Sequence, residues 1–172
     1  AACATHVTKN FIGLNRISGE VPLTPIQRLF FEQHGENPHH WNQSVLLETV
    51  PEFTPATLQN TIQKIASRRH ALRLRFYKEG DNWYQAYREE VPEIPLDCFD
   101  WSEKREHEQT DLFDKTVEDI QKGLNITTGP LMRVAWFNYG ERRKGRLLFV
   151  LHHLIVDGVS WRTLQEDLVT AS

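Results

Sequence analysis

An α/β sandwich, a mixed β-sheet with flanking helices, is the fold class that three features of this 172-residue chain predict. Two Thr-Pro helix starts, at Thr24-Pro25 and Thr54-Pro55, precede apolar residues at helical spacing. Pairs of strand-like runs separated by turn residues lie between the helical segments. One run, Arg146 to Leu151 (RLLFVL), is almost continuously apolar, as a central strand covered on both faces would be. The length predicts one domain, over residues 21–172, that buries roughly 70% of its unfolded surface. Residues 1–20 show weak periodicity and are expected to be an N-terminal arm or linker.

In chain order, Thr24, Pro25 and Gln27 form a capping box that predicts a helix from Pro25 to Gln33. Gln43 to Thr49 predicts a strand. Behind Thr54-Pro55, Leu58, Ile62, Ile65 and Ala66 mark the buried stripe of a helix over residues 55–69. Leu72, Leu74 and Phe76 alternate with arginines and Tyr77 in a second strand, and Trp83 to Tyr87 completes a hairpin after the Gly80-Asp81-Asn82 turn. A third helix is predicted from Ser102 to Leu124, with Phe113, Val117, Ile120 and Leu124 on one face. Leu131 to Tyr139 and Arg146 to Leu151 flank the basic turn GERRKG (Arg142 to Lys144) as another hairpin, and an amphipathic segment carrying Leu164 and Leu168 follows.

Composition narrows the classes of function. Hydrophobic residues are 40% and charged residues 25%, with a net charge of −3, which excludes collagen, coiled coil and disorder. A nucleic-acid partner is not expected, because such binders are usually basic. No run approaches the roughly 20 apolar residues of a membrane span, and AACATHVTKN lacks the regions of a signal peptide, so no membrane partner and a cytoplasmic location are expected. Cys3 and Cys98 have no second pair for a metal knuckle and are expected to be reduced.

The chemistry concentrates where the central strand ends, in His152-His153-Leu154-Ile155-Val156-Asp157-Gly158, followed by Ser160 and Trp161. Composition alone would place HHxxxDG in roughly one such chain per thousand. Adjacent strand residues point to opposite faces, so one imidazole is expected in the core and the other in a cleft at the strand terminus, its position held by the rigid strand and the permissive Gly158. A histidine there can take up and return a proton near neutral pH. No metal site is expected: His-His-Asp needs further ligands, and His34, His39, His40, His70 and His107 have no recognised spacing to it.

HHxxxDG behind an apolar strand resembles the signature of the condensation superfamily of nonribosomal peptide synthetases, whose fold is similar to chloramphenicol acetyltransferase. Further segments agree in order: LTPIQRLFF (Leu23 to Phe31), the HFNQS-type strand (His40 to Leu47), RRHALRLRF (Arg68 to Phe76) and LNITTGPLMR (Leu124 to Arg133). The details resemble the epimerization branch. PIQRLF is close to PIQxWF, with Leu29 in place of the usual tryptophan, and Asp157 to Trp161 matches DxxSW.

This resemblance implies a donor held as a thioester on the phosphopantetheine of a peptidyl carrier protein, with no cofactor bound directly. His153 is the implied catalytic residue, taking or returning the α-proton in an epimerase or assisting the acceptor amine in a condensing domain. His152 is the structural member of the pair. Asp157 is read as shaping the loop through an ion pair with Arg73 or Arg68, in preference to direct proton transfer. Ser160 either donates to a thioester or enolate oxygen or caps the following helix, the cap being favoured. Trp161 lines a tunnel or packs, whereas Trp41, Trp83, Trp101 and Trp136 are expected to pack.

Inversion needs protons on both faces of the α-carbon, and the resembled family supplies the second group, a glutamate, from a C-terminal half. That half is expected to be missing from this chain, with Glu48 and Glu166 the glutamates to check as substitutes. The expected object is the N-terminal half of an epimerization domain that folds alone, is inactive alone, exposes the surface meant for its other half, and works beside neighbouring synthetase domains. The alternatives are a condensing-domain half and a non-catalytic carrier-docking module.

Overall fold

A computed structural model describes residues 18–49, 54–140 and 143–171. Their order is β1 (Gly19–Val21), α1 (Pro25–His34), β2 (Asn42–Glu48), α2 (Pro55–Arg68), β3 (Leu74–Glu79), β4 (Asn82–Tyr87), β5 (Leu96–Asp100), α3 (Glu106–Lys122), β6 (Met132–Asn138), β7 (Arg146–His152) and α4 (Gly158–Ala171). Short 3-10 helices occupy His70–Arg73 and His153–Ile155.

Both Thr-Pro starts cap their helices. Thr24 Oγ1 accepts from the Gln27 N–H while Gln27 Oε1 accepts from the Thr24 N–H at 2.8 Å, and Thr54 and Thr57 repeat the exchange at α2. The third helix begins at Glu106, four residues later than the sequence predicts. Trp101 is buried, the Lys104 N–H closes a turn on its carbonyl at 3.0 Å, and the Glu108 carboxylate accepts from the Arg105 N–H, which moves the start into this acidic turn.

The strands make a four-stranded sheet in the order β2-β7-β6-β5 and a three-stranded sheet in the order β1-β4-β3. In the first, β5 and β6 are parallel and the other pairs antiparallel, so the sheet is mixed as expected. Both expected hairpins form, β3 with β4 and β6 with β7; Gly80 turns the first with a φ of +59°. Of the GERRKG turn, residues 141 and 142 lie outside the described residues.

Two strands were not predicted. β5 is short and acidic, and β1 takes Gly19 and Glu20 out of the expected arm to pair with β4. The remainder of the arm, residues 1–17, lies outside the described residues. β3 starts at Leu74, two residues later than the alternation implies, because the Leu72 N–H folds back onto the Arg69 carbonyl in the 3-10 turn.

β7 is buried on both faces. Leu147, Phe149 and Leu151 pack with Leu58, Ile62 and Ile65 of α2 and Leu164 of α4, while Leu148 and Val150 pack on the opposite face with Ile120 of α3. Burying each such side chain contributes about 1.5–3 kcal/mol, which anchors the strand that delivers the two histidines. A third cluster joins Phe31 of α1 to Leu74 and Phe76 of β3, with Trp83 stacked on Phe31. Among the described residues no helix is long and apolar enough to cross a membrane.

Candidate functional site

At the end of β7 the pleat and the backbone separate the two histidines. Asn42 pairs with His152 in the ladder, and the His153 N–H then donates to the Trp41 carbonyl at 2.8 Å, so the backbone is held through both residues. His152 is fully buried. Its Nδ1 accepts from the Leu154 N–H at 3.2 Å, which leaves Nε2 as the protonated nitrogen donating to the Pro38 carbonyl at 2.7 Å. Burial holds this imidazole down to about 4 from its ordinary 6.5. Neutral, and with both nitrogens spent on backbone groups, His152 is a fastener of the loop before β2.

His153 is exposed. It stands at the edge of an apolar hollow of about 200 Å³ whose wall includes Ile26, Leu29, Phe30, His34 and Trp41. Ile26, Leu29 and Trp41 are 70%, 45% and 44% exposed, an apolar rim open to the outside. Trp41 stacks on His34 at 4.2 Å between ring centroids and meets Phe30 edge-on, so it packs on its neighbours while also lining the hollow. His153 Nε2 lies 2.9 Å from Gln43 Nε2, and Gln43 Oε1 accepts from the Trp161 indole N–H at 2.7 Å. Trp161 itself is partly buried against the α2 and α4 face of the sheet.

The residues after the histidines build the start of α4. Asp157 Oδ1 accepts from the Ser160 N–H and from the Ser160 hydroxyl, both at 2.7 Å. The cap therefore belongs to Asp157, not to Ser160, because Asp157 stands directly before the first helical residue. Ser160 lines a separate hollow of about 190 Å³ between the 3-10 turn at His70 and α4. Gly158 has no positive φ, and a Cβ added there would meet nothing within 4 Å, so the loop makes no use of its backbone freedom.

Of the two candidate arginines, Arg73 is buried, with Nε donating to the Arg88 carbonyl at 2.6 Å, and Arg68 is exposed at the end of α2. Their neighbour Arg69 bridges to Asp167 of α4 at 2.8 Å and joins the second motif to the helix behind the histidines. The two glutamates considered as a second acid/base group lie elsewhere. Glu48 pairs with Lys144 at the far end of the β2–β7 ladder, roughly 20 Å along the strand from His152, and Glu166 pairs with Arg162 on α4. Among the described residues no group of three His, Cys, Asp or Glu is placed to hold a metal ion.

Sequence reasoning assigned no role to Gln43 or His34 and read Trp41 as packing. The signal for Gln43 was its place in the polar start of a strand whose middle is apolar, directly before Ser44.

A family model described as the condensation domain matches residues 17–171. A linear gramicidin synthase of Brevibacillus parabrevis is 42% identical over 99% of this chain, and surfactin synthase subunit 2 of Bacillus subtilis is 36% identical over 90%. The chain spans 3% and 4% of those two proteins. Among solved structures, the epimerization domain from the third module of tyrocidine synthetase B is similar with a TM-score of 0.79 and 33% identity, over 90% of this chain and 35% of that one. The starter condensation domain of rhizomide synthetase shares the fold with a TM-score of 0.72 at 19% identity, over 88% of this chain and 35% of that one.

Proposed function

We propose, from the premise that this chain belongs to the condensation domain family, that it is the histidine-bearing part of a nonribosomal peptide synthetase epimerization domain. Its substrate is an aminoacyl or peptidyl thioester carried on the phosphopantetheine of a peptidyl carrier protein, and its reaction is inversion of the α-carbon from L to D within a cytoplasmic assembly of synthetase domains. The observation that carries this reading is the exposed His153 imidazole at the edge of an apolar hollow, in a fold similar to a solved epimerization domain.

His153 takes the proton from Cα: the C–H bond breaks, its electrons pass into the enolate of the thioester, and an N–H bond forms on the ring. The step needs hydrogen-bond donors at the enolate oxygen, and the apolar wall limits water there only once the complementary half covers the open rim. Delivery to the opposite face requires a second acid/base group; Glu48 at the far end of the β2–β7 ladder and Glu166 engaged with Arg162 on α4 support its coming from the complementary half of the domain. His152, Asp157, Arg73 and Arg68 support the loop that presents His153, with Gly158 and Ser160 opening the helix behind it.

Deuterium uptake at Cα of an aminoacyl carrier protein in heavy water tests the reading. The chain alone is expected to give little uptake, and the chain joined to its complementary half rapid uptake with inversion, slowed about 10²–10⁴-fold by His153→Ala. Amide formation between two loaded carriers without Cα exchange would replace inversion by condensation. Carrier binding with neither reaction, unchanged by His153→Ala, would reduce the chain to a docking module.

A further inference from the structure

We propose that Gln43, oriented by Trp161, is a positioning residue that sets the tautomer of His153, with the ring proton on Nδ1 and the basic lone pair on Nε2. The inference takes its catalytic meaning from the epimerization reading, but its geometry does not depend on it.

The chain of hydrogen bonds has one consistent direction. An indole N–H only donates, so the group it faces at 2.7 Å must be the amide oxygen of Gln43 and not the amide nitrogen. Turning the amide over would set two donors against each other. With Oε1 committed to Trp161, Gln43 presents its NH₂ to His153 at 2.9 Å, and an amide NH₂ has only protons to offer. His153 Nε2 must therefore accept, which places the proton of the neutral ring on Nδ1.

The anchors of this relay are well separated in sequence and held by different elements. Gln43 sits in β2 opposite Leu151 of β7, on the sheet face that α4 covers, and Trp161 lies in the first turn of α4 and packs on that same face. The backbone of His153 is tied to the Trp41 carbonyl two residues before Gln43. The same β2–β7 ladder thus fixes both the origin of the imidazole and the origin of the amide that reads it. The consequence for the reaction is that Nε2 is the atom that receives the α-proton, and the substrate Cα–H takes the place of the Gln43 N–H at that lone pair.

Long-range ¹H–¹⁵N correlation of the histidine rings reads the tautomer directly in the 172-residue chain, at a pH where the ring is neutral. The native chain is expected to show His153 protonated at Nδ1 with a bare Nε2. Gln43→Glu replaces the donor by a carboxylate that accepts from both neighbours, and reverses the pattern to Nε2–H. Gln43→Leu gives a mixture, and Trp161→Phe also gives one, because the amide is then free to turn over. In the domain joined to its complementary half, Gln43→Glu is expected to lower kcat for Cα exchange about tenfold or more with KM within about twofold.

A native His153 carrying its proton on Nε2, or the same ring pattern in the native chain and in Gln43→Glu, overturns the proposal. If the ring patterns follow expectation while the complete domain shows no Cα exchange, the relay stands and the epimerization reading fails.

Discussion

His152 and His153 are neighbours in sequence and opposites in environment. The first is sealed under Phe30 and spends both ring nitrogens on backbone groups, whereas the second stands exposed at the rim of a hollow and shares its Nε2 with a side-chain amide. The split falls where the strand ends: His152 is the last residue of β7, under its packing, and His153 opens the 3-10 turn that carries the chain out of the sheet. The lesson is that the buried ring makes the exposed one precise: His152 ties the end of β7 to the Pro38 carbonyl, and the next residue inherits that fixed backbone. Stability is thus concentrated in one imidazole and chemistry in the other.

Removing each ring separately is the most severe way to break this division. His152→Ala leaves the Pro38 carbonyl and the Leu154 N–H without their partner and opens a cavity, so it is expected to cost about 4 kcal/mol, read as a lower midpoint in urea unfolding. His153→Ala removes an exposed ring and is expected to change stability by no more than about 0.5 kcal/mol. Equal destabilisation by the two substitutions would refute the division.

Acid tests the buried member of the pair with a slightly smaller effect. The native His152 ring accepts a proton only near 4, while in the unfolded chain it does so at its ordinary 6.5. Between those values the unfolded state binds more protons, so stability rises with pH; the contribution is complete above pH 6.5 and is lost as pH falls toward 4. The whole interval is worth about 3 kcal/mol. Urea midpoints of the native chain should fall as the pH is lowered from 6.5 toward 4.5. A midpoint that stays flat from pH 6.5 to 4.5 would mean that the buried ring is not neutral at the start.

How much of this was legible in advance follows from where each determinant lies. The Thr-Pro starts of α1 and α2 are local, and both caps form where the residues place them. The double burial of β7 was legible from its unbroken apolar run, and the expected division of the histidine pair is realised by the strand ending between them, with His153 in the 3-10 turn. β1 and β5 were missed because neither carries a pattern of its own; each exists through a partner remote in sequence, β4 for one and β6 for the other. Gln43 was missed for a related reason, since its function depends on cross-strand register and on a tryptophan in another element. Gly158 misled because glycine suggests a backbone requirement, and the loop enters α4 without one.

The smallest effect sharpens the comparison by separating structure from chemistry at the third motif residue. Asp157 caps α4 through the Ser160 N–H and hydroxyl. Asp157→Ala is expected to cost about 1 kcal/mol, whereas Asp157→Asn keeps an oxygen in the same place and should cost only a few tenths. The pair also reads the catalytic question. If Asp157 only shapes the loop that presents His153, Cα exchange by the complete domain survives in Asp157→Asn to within a few fold, because asparagine keeps a cap and loses only the charge. If Asp157 moves a proton itself, the asparagine variant loses exchange as heavily as His153→Ala does, although its unfolding midpoint is almost native. Measuring exchange and unfolding on the same Asp157→Asn preparation decides between the two, since only proton transfer by the carboxylate predicts an intact fold with an inactive site.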